Sequence, residues 1–157
     1  MYTGIWQAVT WNIERSSRLV VSGTVIRGVA WLSAPTDYRT TPEYATHARQ
    51  GAQMVSDIVS SIPYHLGWTY DPRTSRMVPG DLSGFACGGK DDNSGRALGG
   101  HFTIWPLFSA NCSDFTTDSQ RKYITGRLRF IAETMGINQA SVLSHVGYST
   151  VFLLPYA

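Results

Sequence analysis

The stretch "GFACGGKDD", residues 84 to 92, holds the residue types most suggestive of chemistry. Gly84, four intervening residues, then Gly89 and Lys90 match the front of a phosphate-binding loop, where glycine backbone amides cradle phosphate oxygens and the lysine meets the terminal phosphates. A working loop of this kind follows a strand, opens a helix and carries a hydroxyl after the lysine to ligate magnesium. Here Pro79 and Gly80 stand where a central strand belongs, and Asp91 replaces the hydroxyl with a negative charge set against phosphate. A glycine-rich loop with Lys90, Asp91 and Asp92 as exposed charges is the simpler account.

Other chemistry has less behind it. The chain has no G-x-S-x-G nucleophile elbow, and Cys87 has no sequence-near histidine. Cys87 and Cys112 are the only cysteines, too few for a disulfide scaffold or a thiolate metal site, and their role stays open. His47, His65, His101 and His145 form no H-E-x-x-H or i, i+4 pair, so no metal site and no cofactor is expected. The basic cluster "RKYITGRLR" contains Arg121, Lys122, Arg127 and Arg129. On a helix Lys122 can pair with Asp118 and Arg129 with Glu133, so a solvated face is favoured over a nucleic-acid contact.

The elements that must position these residues read as helices. Ile5, Trp6, Val9, Ile13 and Val20 recur at helical intervals, although β-branched residues and two glycines leave a strand open between 19 and 32. Thr40 and Glu43 form a capping box with Pro42 in the first turn, followed by a stripe of Tyr44, Ala48, Ala52, Val55, Val59 and Ile62. Pro63 is expected to stop that helix near Ser61. Residues 63–95, rich in glycine and proline, are expected to be one long flexible loop. Leu98, Phe102, Trp105 and Phe108 then share a face, with Pro106 placed to kink or break the helix. Thr117 and Gln120 form a second capping box, Ile124, Leu128, Ile131 and Met135 a second stripe, and Gly136 a stop. A short helix through "NQASVLSHV" and an apolar end, "FLLPYA", complete the chain. The expected fold is all-α: an irregular bundle of about five helices in a single domain spanning 1–157, itself part of a larger helical region.

At 157 residues and net charge +2 the chain is too balanced for a dedicated nucleic-acid surface, and the run "VSGTVIRGVAWL" is interrupted by Arg27 well short of a membrane span. Only 15% of residues are charged while five are tryptophan, which is more apolar material than one core of this size needs. A face normally covered by other protein would account for the surplus.

Four blocks in order, "SDIVSSIPYHLG" at 56–67, "ALGGHFTIWPLFSANCS" at 97–113, "QRKYITGRLRFI" at 120–131 and "MGINQASVL" at 135–143, resemble the C-terminal regulatory region of fungal zinc binuclear cluster transcription factors. "WNIERSSRLV" at 11–20 is similar to an earlier helix of that region, so the resemblance covers most of residues 5–143. It implies a helical regulatory domain in the nucleus, without catalytic residues, acting through protein contacts, self-association or a small-molecule effector. The family's six-cysteine zinc cluster has no counterpart here, so direct DNA contact and zinc are not implied. The chain is then a fragment, a truncated product or a stand-alone relative. The rival expectation is a small nucleotide-binding protein or enzyme using the 84–92 loop and His101.

Overall fold

The computed structural model describes residues 4–79 and 94–146, so "GFACGGKDD" and the apolar end lie outside the described residues. The fold is all-α as expected, with five α-helices and one small hairpin: α1 (Ile5–Ser33), α2 (Pro42–His65), β1 (Trp68–Asp71), β2 (Arg76–Pro79), α3 (Ser94–Asn111), α4 (Asp118–Met135) and α5 (Asn138–Val146). A 3-10 turn, Tyr38–Thr40, leads into α2. α1 and α2 run antiparallel, since Asn12 meets His65 at one end and Ser22 meets His47 at the other. α3 packs against α1, α2, α4 and α5 and is the central element.

α1 is one helix of 29 residues, about 43 Å long, so the strand left open at 19–32 does not form. Leu19, Ser22 and Ile26 continue the buried row of Ile5, Ala8, Asn12 and Ser16 at helical spacing. Of the expected stripe only Ile5 and Val9 are buried; Trp6, Ile13 and Val20 face solvent. The helix is turned so that Ala8, Asn12, Ser16 and Ser22 pack inward beside Ile5, Val9, Leu19 and Ile26.

α2 begins one residue later than its expected cap, with the Thr41 hydroxyl accepting from the Tyr44 amide at 3.2 Å. It also runs four residues past Ser61, through Pro63 to His65, and closes where Gly67 adopts φ 67°. Burial of Ile62, His65 and Leu66 outweighs the donor that Pro63 lacks. The buried row is Gly51, Met54, Val55, Ile58, Ser61, Ile62 and His65, rotated from the expected stripe, and Ala52 is exposed.

The 63–95 stretch is therefore not wholly irregular. Beyond the end of α2, β1 and β2 pair antiparallel with Asp71 opposite Arg76. Asp71 makes the turn by accepting from the Arg73 amide at 2.9 Å and the Thr74 hydroxyl at 3.1 Å. Trp68 meets the Phe130 ring edge-on, 5.4 Å between centroids, which ties the hairpin to α4.

Pro106 does not break α3, because Ile104, Leu107 and Ala110 around it are held in the core. The α3 backbone lies close to its neighbours through glycines. A Cβ on Gly99 would sit 1.8 Å from the His65 carbonyl oxygen, and one on Gly100 would sit 2.5 Å from the Met135 sulfur. α4 follows expectation most closely: Gln120 N–H donates to the Thr117 hydroxyl at 3.3 Å, Thr117 N–H donates to Gln120 Oε1 at 3.0 Å, and Gly136 ends the helix at φ 73°. Ile124, Leu128 and Ile131 are fully buried and Met135 half-buried, and α5 forms where expected.

Candidate functional site

Two constellations stand out among the described residues. One is a buried polar cluster between α1 and α2. Asn12 Nδ2 donates to Ser61 Oγ at 2.8 Å and lies 3.0 Å from His65 Nε2, while Arg15 donates to Asn12 Oδ1 at 3.0 Å and lies 3.6 Å from Asp57. Burial, and after it the nearby Arg15 charge, hold His65 down at about 4, so its ring is neutral at pH 7. The Ser61 hydroxyl donates to the Ile58 carbonyl at 2.7 Å, and its oxygen accepts from Asn12. Serine and histidine thus share an amide rather than a proton, and neither reaches solvent. The cluster joins two helices. Its signal in the sequence is that Asn12 and Ser16 fall in the row occupied by Ala8 and Leu19, a polar pair that only a facing partner explains.

The second constellation is apolar and exposed. α3 buries Gly99, Gly100, Thr103, Ile104, Leu107 and Ala110 and, as α1 does with its tryptophans, leaves Trp105 57% exposed. Trp6 meets Phe102 edge-on at 5.3 Å, and farther along α1 Val20 and Gly23 approach Trp105 and Phe108 around a cavity of about 240 Å³. Phe115 closes its end, a position that depends on Gly51, where a Cβ would lie 2.2 Å from that ring. Beyond the cavity α1 continues outward with Val21, Val25, Trp31 and Leu32 exposed. Thr10, Ser17 and Thr24 on this side turn their hydroxyls to the carbonyls of Trp6, Ile13 and Val20 at 2.9, 2.9 and 3.0 Å, so their outward surface is largely hydrocarbon.

The residues considered for chemistry are kept apart. His47 Nδ1 lies 3.3 Å from Ser22 Oγ, His101 is exposed beside Phe102, and His145 Nδ1 lies 2.8 Å from the Ser141 carbonyl. Among the described residues no group of three or more His, Cys, Asp or Glu could hold a metal ion. Cys112 lines the cavity, and burial pushes its thiol up against the opposing effect of Arg121, so it stays protonated at neutral pH. Lys90, Asp91, Asp92 and Cys87 lie outside the described residues. In α4 the two expected ion pairs do not close among the described residues. Instead Arg121 donates to the carbonyls of Asn111 and Ser113, and Arg127 lies 5.1 Å from the Trp68 ring centroid. No helix of the described residues is long and apolar enough to cross a membrane.

No family model matches this chain, and no solved structure matches it. A transcription factor of Emericella nidulans, dbaG, is 27% identical to it over 147 residues, covering 91% of this chain and 31% of that protein. The chain thus spans about a third of the length of the curated relative it matches. Over nearly all its own length it is similar to a fungal transcription factor.

Proposed function

We propose that this chain is a regulatory module of a fungal transcription factor, working in the nucleus by docking the α1–α3 apolar face onto protein. The observation that carries it is the orientation of the two helices. Both turn tryptophan to water, Trp6, Trp11 and Trp31 from α1 and Trp105 from α3, beside exposed Val20, Val21 and Val25, while Asn12, Ser16, Gly99 and Gly100 hold buried positions, against what burial of apolar area favours in a chain that works alone. The similarity to dbaG supports the transcriptional setting, and the fully buried Ser61–His65 cluster offers no rival site.

A tethering assay tests the reading. Fused to a foreign DNA-binding domain in a fungal reporter strain, the chain is expected to change reporter output several-fold. The double variant Trp6→Asp, Trp105→Asp is expected to lose that effect while keeping the wild-type helical circular dichroism. A reporter that ignores the wild-type fusion, or responds equally to both, counts against docking through this face.

A further inference from the structure

We infer that the occupant of this face is a second copy of the chain, with Trp31 of each copy seated in the other's α1–α3 cavity; this rests on the docking reading above. Among the described residues Trp31 is the most exposed of the large apolar side chains, at 79%, and it does not line its own cavity. It lies eight residues beyond Gly23, about 12 Å along α1.

The cavity suits one indole better than a free effector. At about 240 Å³ it is smaller than the roughly 300–1,000 Å³ clefts that take drug-sized ligands. Its walls include Val20, Arg27, Trp105, Phe108 and Phe115.

The surroundings fit a second copy. Arg27, which lines the cavity, is the sole charged residue between Leu19 and Ser33, so the strip brings a single charged side chain to the interface. Trp31, Leu32, Val20, Val21, Val25 and Trp105 are 79, 76, 56, 59, 37 and 57% exposed. They offer on the order of 700 Å², against the roughly 800 Å² that each partner buries in a standard interface. With α1 antiparallel to α1 of the second copy, Trp31 of each stands opposite the Val20–Gly23 turn of the other, the reciprocity of a two-fold dimer.

Sedimentation equilibrium of the full chain between about 1 and 100 µM tests this. The wild type is expected to dimerise in that range. Trp31→Ala removes the anchor, and Gly23→Leu fills the cavity from a position whose added Cβ meets nothing within 4 Å. Each is expected to weaken association at least ~30-fold, as loss of an anchoring tryptophan does. Both keep the fold, checked by circular dichroism. A mixture of the two variants decides the geometry, because the mixed dimer retains one intact Trp31–cavity contact while each variant's own dimer retains none. The mixture is therefore expected to associate more tightly than either variant alone. A mixture no tighter than its components, or variants that dimerise like wild type, overturns the proposal. So does a chain monomeric at about 100 µM; if that chain still requires Trp6 and Trp105 in the reporter assay, docking stands and the face belongs to another protein or effector.

Discussion

Asn12 offers one amide to both Ser61 and His65, and that arrangement admits only a neutral imidazole. The folded ring titrates near 4 and an unfolded histidine near 6.5, so protons bind the unfolded chain first as pH falls. Stability is fully present above pH 6.5 and is lost as pH drops toward 4, by up to about 3 kcal/mol for this group. Urea unfolding at pH 7 and pH 4.5 should show the loss, and His65→Leu should remove most of it; an equal loss in the variant would mean that other groups carry it. His65 is legible in the sequence as a lone structural histidine, but its partner is not, since 53 residues separate it from Asn12.

Helix positions are read well from this sequence and helix phases poorly, and the glycines explain why. Thr117, Gln120 and Gly136 mark α4 through local geometry that a short segment fixes by itself, and the structure shows all three in those roles. The inward side of α3 is decided elsewhere, by how closely it approaches its neighbours. Gly99 lets α3 rest on the end of α2, and that contact rotates Trp105 outward whatever the apolar spacing suggests. Pro63 and Pro106 were poor guides for the same reason, since core burial on either side holds the helix through them. Two identical substitutions should therefore have opposite signs. Gly99→Ala forces a methyl against the His65 carbonyl and should cost at least about 3 kcal/mol or prevent folding. Gly126→Ala, exposed in α4 with open space around its Cβ, should add about 0.5–1 kcal/mol by helix propensity. Thermal melts of the pair check this, and a mild Gly99→Ala would mean that α2 and α3 can separate without loss of the core.

At the scale of the molecule, the C-terminal half of α1 is nearly free of charge while its N-terminal half is not. The ion pairs of α1 lie toward its N-terminal half and the side of α2, at Arg15–Asp57 and Arg18–Glu14, while the stretch from Leu19 to Ser33 carries only Arg27. Low charge and surplus tryptophan in the composition foreshadow such a face, and only the fold locates it, because placing it requires the phase of two helices at once. This separation predicts how self-association responds to solution conditions. Removing exposed hydrocarbon from water gives a negative heat-capacity change, and an interface whose strip bears a single charged residue, Arg27, feels little ionic screening. Between 50 and 500 mM NaCl the dimer dissociation constant should therefore change by less than about threefold, and calorimetric dilution at several temperatures should give a negative heat-capacity change on association. A steep weakening with salt would instead place the contact on charged surface, with the exposed Lys122 and Arg129 of α4 the first residues to substitute.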